Sequence, residues 1–441
     1  MKYYNREREI AKLQEVRELS YNDHSRLTVV TGRRRIGKTR LINNAMGDEP
    51  FIYLFVGRKN EASLCASYCK EIATKLNLFV PSITSFQELF AFLMQQGETK
   101  KFTLVIDEFQ EFFNVNSSIY SDIQNIWDQY RLKTHINFIV SGSVYSLMTK
   151  IFQHYHEPLF GRADVMLKLN PFSLPVLKQI MKDHLPAYTN DDLLALYTVT
   201  GGIPKYVELL VDAKALTVKK IIHTVCDPDS PFKDEGKNLL VDEFGKQYGT
   251  YFSILDAISN GINTQSDIAA ALGEKSIGGQ LKKLEETYEV IQKMRPILAK
   301  KGTQTVRYGI SDMFLRFWFR YFEGNRTLVE MSQFEVLEKV IAADYTTYSG
   351  KVLEAYFKQQ FIESHEYRDM GSYWEAKKGK EQYEIDIVAL RLEKNKAVAV
   401  EVKRQYKEFK PKEFGDKVQH LKDKVLPKYE IEQRCLTLED M

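Results

Sequence analysis

Residues 28–41 read TVVTGRRRIGKTRL and place three adjacent arginines between two glycines. Like charges this close repel one another unless an anion sits among them. Gly32-Arg33-Arg34-Arg35-Ile36-Gly37-Lys38-Thr39 fits the pattern G-x-x-x-x-G-K-[S/T] at every position. In such a loop the backbone N–H groups point inward at phosphate oxygens. The glycines let the chain curl. A helix that opens with Lys38, Thr39 and Arg40 presents its positive end to the same oxygens. Lys38 then reaches the β- and γ-phosphates, and the Thr39 hydroxyl ligates Mg²⁺. The expected anion is a nucleoside triphosphate, ATP with Mg²⁺. One or more of the arginines can instead contact another domain or subunit.

A second acidic signal follows in KFTLVIDEFQEFF, where an apolar run ends in Asp107 and Glu108. Asp107 would hold Mg²⁺, partly through water, and Glu108 would orient and deprotonate the attacking water. The bland alternative is an acidic helix start after a strand. In INFIVSGSVYSL a strand ends at Ser141, beside the expected γ-phosphate, where a small polar group could sense or polarise that water. A plain serine-rich turn is the alternative. Arg162, in PLFGRADV, is a candidate transition-state or sensor arginine, or else a structural one.

The third constellation lies near the C-terminus, in YEIDIVAL and KAVAVEVKRQ. Alternate strand residues share a face, so Glu401 and Lys403 point the same way, together with Ala397 and Ala399. Small residues beside a carboxylate leave room for a metal and a phosphate. Asp386 lies 15 residues before Glu401, enough for a hairpin to unite them. Glu354, on a preceding helix, could complete an acidic, metal-holding cluster. From Lys403 to Lys412 the chain carries Lys403, Arg404, Lys407, Lys410 and Lys412 against Glu408 alone, which suits a phosphate backbone.

The elements that must position these groups follow from periodicity. Strands are predicted at 27–30, 51–56, 102–106, 136–140 and 165–169, alternating with helical patterns. That alternation argues for a mainly parallel sheet covered on both faces. Helical patterns dominate from NPFSLP at 170–175 to about residue 245. Over 251–321 the order is three helices and a hairpin with Gly302 at its tip, the order of a winged helix-turn-helix. Lys275, Gln280, Lys282 and Lys283, with Lys300 and Lys301 in the wing, form its candidate DNA surface; Glu285 and Glu286 follow at once, and an internal role as a spacer or protein contact is the alternative. A third unit from about 335 opens with a helix at 348–364. It continues in two strands separated by a turn at EKNK, and closes on a basic stretch and a helical region. The expected domains are 1–170 (ATPase core), 171–245 (helical lid), 246–330 (winged helix-turn-helix) and 331–441 (a small α/β domain).

Composition sets the limits. A chain of 441 residues suggests about three domains. At 44% hydrophobic and 27% charged it is an ordinary globular protein. The net charge of +3 excludes a generally polybasic protein, so any nucleic-acid affinity must come from local patches. The N-terminus is charged and lacks an apolar core, so no secretory signal is expected. No window reaches 18 apolar residues, so no membrane partner is expected. Cys65, Cys69, Cys226 and Cys435 fit thiols in a reducing cytoplasm, with no second Cys/His pair to build a zinc site.

RERE, GRRRIGKTRL, LVIDEFQ, SGS, PLFGR and GGIPKYVEL occur in the order found in a family of prokaryotic AAA-type ATPases of the STAND branch, often called the archaeal ATPase family. YGISDMFLRFWFRY resembles that family's link from its winged helix to a C-terminal domain of unknown function, itself similar to PD-(D/E)XK nucleases. The resemblance covers nearly the whole chain. It implies a P-loop α/β fold, and ATP binding and hydrolysis coupled to a conformational switch. For the C-terminal domain it implies Asp386 and Glu401 as Mg²⁺ ligands, with Lys403 beside the attacked phosphate. Ile385 stands where that superfamily usually has proline. The leading reading is an ATP-driven switch with a nuclease-like effector acting on DNA, with DNA or RNA as the nucleic-acid partners to test. The rival is a regulatory ATPase whose C-terminal domain only binds nucleic acid or a protein partner, self-association included. An ATP-dependent ring motor is a third.

Overall fold

The computed structural model describes residues 1–49, 51–245, 248–299, 306–377 and 380–441, with side chains 376–382 left out. The expected wing residues Lys300, Lys301 and Gly302 therefore lie outside the described residues. The chain divides into two compact units, Tyr3–Pro171 and Phe172–Met441 with Met1–Lys2.

In the first unit, β1 (Arg26–Thr31), β2 (Ile52–Phe55), β3 (Phe102–Asp107), β4 (Ile136–Gly142) and β5 (Val165–Lys168) form one parallel sheet in the order β2-β3-β4-β1-β5. Every residue of β3 and β4 is buried. This is why these strands read as continuous apolar runs rather than alternating ones. Alternate residues feed two cores. Leu27, Val29, Leu104, Ile106, Phe138 and Val140 pack into an aromatic-rich cluster with Phe86, Phe90 and Trp127. Val30, Val105 and Ile139 face the opposite way, against Leu13, Leu41 and Ile42. The helices Glu7–Asn22 and Lys38–Met46 supply those last residues. With both faces covered, ligands have access at the C-terminal strand ends, where β1, β3 and β4 deliver Gly32, Asp107 and Ser141.

The second unit opens with helices Leu174–His184, Asn190–Thr200, Pro204–Asp212, Val218–Val225 and Phe232–Phe244. Helices Tyr248–Ser259, Gln265–Ala271 and Gly278–Lys282 follow, then the antiparallel pair β6 (Ile291–Met294) and β7 (Arg307–Ile310). Thr264 caps the second of these three helices by accepting from the Asp267 N–H.

The last region departs from expectation in three places. Its first helix runs Phe334–Ser364, beginning 14 residues before the expected start at Tyr348. Val336 and Val340 in its first turns are exposed, so that stretch lacks a clean apolar stripe. Four strands are present: β8 (Tyr367–Lys377), β9 (Lys380–Arg391), β10 (Lys396–Val402) and β11 (Glu430–Leu436), in the order β11-β10-β9-β8. β8, β9 and β10 are antiparallel neighbours, and β11 joins β10 in parallel. The chain thus passes from the helix Pro411–Lys424 into an edge strand instead of closing on a helix. Ala397 and Ala399 leave room that this helix fills with Phe414, Val418 and Leu421. The small residues admit a helix there. Each of these three side chains contributes about 1.5–3 kcal/mol by leaving water.

Candidate functional site

The loop between β1 and the helix Lys38–Met46 is built by two glycines. Gly32 has φ +145°, and a Cβ there would meet the Leu169 carbonyl oxygen at 2.9 Å. Gly37 caps the helix in the left-handed region at φ 92°, which a side chain would strain. The Lys38 side chain is buried and folds back along the loop. Its Nζ donates to the Gly32 carbonyl (2.9 Å) and the Arg33 carbonyl (3.1 Å). An ammonium held by carbonyls at the loop's mouth can turn onto phosphate oxygens. Ile36 is 1% exposed and belongs to the core, so only its backbone faces the loop. Arg34 and Arg35 are exposed. Arg40 stands over the Tyr3 ring, 5.4 Å from its centroid.

Asp107 ends β3 almost buried and gathers donors on both oxygens. Oδ2 accepts from Thr39 Oγ1 (3.1 Å) and from the Tyr53 hydroxyl. Oδ1 accepts from the Ser141 hydroxyl and from the Glu108 N–H (3.0 Å). Thr39 and Asp107 thus set two hard oxygens together, and this donor set fits Mg²⁺. Ser141 is fully buried, and its hydroxyl serves Asp107. Tyr53, on β2, is a member of this site that the sequence reading missed. Burial pushes its phenol well above the usual range, and the Asp107 charge pushes it further, so it stays a donor.

Glu108 sits at φ 54°, beyond the strand end. Its Oε2 accepts from Gln110 Nε2 (2.6 Å), Ser143 Oγ (2.7 Å) and the Ser143 N–H (3.3 Å). Arg162 donates to the Phe160 carbonyl and to Asp128 Oδ2 (3.0 Å), which holds it on the helix Ile119–Tyr130.

At the C-terminal cluster the hairpin of β9 and β10 pairs Ile387 with Val400, and Asp386 and Glu401 come next along the ladder. Asp386 Oδ2 accepts from the Val402 N–H at 2.7 Å. Glu401 is ion-paired with Lys403 (3.0 Å) and also with Lys417 (3.1 Å), one turn before Leu421 on the helix Pro411–Lys424. Lys417 was missed because a strand-to-helix contact leaves no local spacing. Burial pushes Asp386 above the usual carboxylate range, and the Glu401 charge adds to this. Burial and the Asp386 charge push Glu354 up as well. Burial alone would lower the Lys403 ammonium, but Glu401 outweighs it and raises it.

Among the described residues no three histidine, cysteine, aspartate or glutamate side chains are grouped to hold a metal ion. Of the expected set, Glu354 feels the Asp386 charge and Asp386 the Glu401 charge, while Glu401 turns to two ammonium groups. Arg404 also departs from the basic window. It donates to the Ser349 hydroxyl and to Asp191 Oδ1 (2.8 Å), so its charge is spent inside the unit.

Residues 3–210 match the model of an ATPase domain predominantly from Archaea. Residues 318–414 match archaeal and bacterial proteins of unknown function. An uncharacterized protein of Methanocaldococcus jannaschii is 30% identical over 410 residues, spanning 91% of this chain and 87% of its own. The chain belongs to that family. It joins an archaeal-type ATPase domain to a C-terminal domain that the family model leaves without a function. Among solved structures, the archaeal-type ATPase is similar to a Walker-type ATPase of Pyrococcus abyssi, with 20% identity and a TM-score of 0.53. That match covers 72% of this chain and 96% of the other. The Aeropyrum pernix ORC2 protein, solved in ADPNP–ADP complexes, matches at 12% identity and a TM-score of 0.48, covering 75% and 95%. No helix among the described residues is long and apolar enough to cross a membrane.

Proposed function

We propose that the protein is a Mg-ATP hydrolase whose nucleotide state drives a switch, coupled to a nuclease-like C-terminal domain that acts on nucleic acid. The observation that carries the ATPase part is the meeting of Thr39 and Asp107 at the strand ends, beside the Lys38 ammonium. Bound Mg-ATP supplies the γ-phosphoryl group and a divalent charge against its oxygens. Lys38 leaves the loop carbonyls for the phosphates. Thr39 and Asp107 hold the metal side, and Ser141 keeps Asp107 oriented. Glu108 exchanges its bonds to Gln110 and Ser143 for the attacking water and accepts a proton at a carboxylate oxygen. Arg162, released from Asp128, is a candidate to meet transition-state charge, in its own chain or in a neighbouring copy.

For the C-terminal domain, the order helix, three antiparallel strands, helix and parallel strand supports the PD-(D/E)XK reading. So does the place of Asp386 and Glu401 next along the ladder of β9 and β10, with Lys403 ion-paired to Glu401. Two carboxylates on adjacent strands fit a Mg²⁺ that keeps water and phosphate as its other ligands. A metal there would activate water and offset charge on the phosphate. Asp386 and Glu401 would ligate it, Lys403 would face the phosphate, and Glu354 would stand behind Asp386. The three helices with β6 and β7 support a winged helix-turn-helix, with Lys275, Lys282 and Lys283 toward the nucleic acid. Lys282 is shared with Glu286 at 3.7 Å. A second reading, a C-terminal domain that binds without cutting, is favoured by Lys417, which already neutralises Glu401.

The test is incubation of the full chain with single- and double-stranded DNA and RNA in Mg²⁺ or Mn²⁺, with and without ATP. Cleavage that depends on metal and vanishes in Asp386→Ala supports the effector reading. Salt-sensitive binding without cleavage supports the second. Neither binding nor cleavage overturns both.

A further inference from the structure

We propose that Tyr53 is a positioning residue for the metal in ATP hydrolysis, setting the Asp107 carboxylate for the Mg²⁺ that Thr39 shares. The inference rests on the reading of the phosphate loop and Asp107 as the Mg-ATP site. It adds a residue that neither the loop pattern nor the acidic strand end contains.

Three observations carry it. The Tyr53 hydroxyl donates to Asp107 Oδ2, the same oxygen that accepts from Thr39. The other oxygen is held independently by the Ser141 hydroxyl. The carboxylate is thus clamped from β2 on one side and β4 on the other, and its rotation is fixed before any metal arrives. The register explains why a tyrosine on β2 can do this. Phe55 pairs with Asp107 and Tyr53 with Val105, so a side chain at Tyr53 must span two residues along the sheet to reach the strand end. Of the side chains that fit a buried sheet face, tyrosine has this length and a donor at its tip. Phe51 packs edge-on against the ring, with centroids 6.4 Å apart and planes at 77°, which steadies it.

The chemistry follows from what Asp107 has to do. A carboxylate that meets Mg²⁺ partly through water needs one orientation. Partners that hydrogen-bond a ligand's remaining lone pairs typically change metal affinity by about 10–100-fold. Tyr53 is such a partner on Oδ2. Without it, Oδ1 keeps the Ser141 hydroxyl and the Glu108 N–H, but Oδ2 is left with Thr39 alone, the group that must turn to the metal.

The test compares the full-length wild type with Tyr53→Phe, which removes the hydroxyl and keeps the ring. Tyr68→Phe is the control. Its hydroxyl donates to the Phe55 carbonyl on the same strand, 2.8 Å away and apart from Asp107. ATP affinity is measured by calorimetry in EDTA and across a Mg²⁺ titration, and phosphate release is followed in parallel. Tyr53→Phe is expected to raise the half-saturating Mg²⁺ about tenfold while ATP affinity in EDTA moves less than twofold. Tyr68→Phe should leave the half-saturating Mg²⁺ in place. The proposal is overturned if Tyr53→Phe leaves Mg²⁺ half-saturation within twofold of wild type. It is also overturned if affinity falls equally in EDTA and in Mg²⁺, because the hydroxyl would then serve only the packing of β2. A wild type that binds no ATP under any condition overturns the nucleotide-site reading itself, and this inference with it.

Discussion

The two charged centres of the chain are built on opposite plans. At the phosphate loop, Asp107 collects hydroxyl and amide donors from four residues, and the carboxylate is oriented in advance. The Lys38 ammonium beside it donates to backbone carbonyls of the loop. At the C-terminal cluster the acid is claimed by cations. Glu401 pairs with Lys403 and Lys417, while Asp386 and Glu354 are pushed toward protonation by burial. The first centre keeps charge of both signs ready for a ligand that brings its own metal and phosphates. The second balances its charges internally, so a metal there must displace a lysine.

The contrast breaks most visibly at Glu108. Glu108→Gln keeps the side chain's shape but cannot accept a proton, so phosphate release should drop by about 10²–10⁴-fold with ATP affinity retained. Wild-type turnover in that variant would place the base elsewhere. Lys38→Ala comes next. Losing charge-assisted bonds to the β/γ oxygens should weaken ATP binding by about 10–100-fold, measured by calorimetry. Affinity unchanged by this substitution would remove the loop from the site.

At the second centre, saturating Mn²⁺ should raise the melting temperature of the full chain's C-terminal transition. At a hundredfold excess over Kd, mass action contributes about 2.7 kcal/mol. Asp386→Ala should remove that gain, and a gain that survives it would place the metal at another site.

The smallest effect is expected at Glu375, on β8. Its carboxylate is partly buried, which alone would raise it. The Tyr373 hydroxyl, Lys424 and His420 outweigh burial and hold it at about 2, against an ordinary 4.5. A depressed acid contributes stability that is complete above the ordinary value and is lost as pH falls toward the folded one. Glu375→Gln should therefore flatten the loss of stability between pH 4.5 and 2 seen in urea titrations. Half-exposed partners limit the change to under about 1 kcal/mol. A variant whose acid limb overlays that of the wild type would assign the loss to other carboxylates.

Legibility in the sequence follows the same divide. β3 and β4 were the most readable strands because burial on both faces leaves uninterrupted apolar runs, and Asp107 and Ser141 mark their ends. The loop was readable because its chemistry is contiguous. β8 was not, since it carries Arg368, Asp369 and Gly371 and shifts register against β9. β11 was not, because as an edge strand it keeps no residue fully buried. Tyr53 read as an ordinary strand aromatic. Its role appears only once β2 lies next to β3 and the register sets the distance to Asp107. Lys417 appears only when the helix Pro411–Lys424 docks on Ala397 and Ala399. Arg404 looked like part of a basic surface until Asp191 and Ser349 took its guanidinium inward.

The central claim is that the loop from Gly32 to Thr39 and the acidic end of β3 hydrolyse Mg-ATP. The most direct measurement is phosphate release from ATP by the purified full chain, in Mg²⁺ and in EDTA, beside Lys38→Ala. The account predicts release in wild type with Mg²⁺, and none above background in EDTA or in the variant. Equal release by wild type and Lys38→Ala, or release that persists in EDTA, would contradict it.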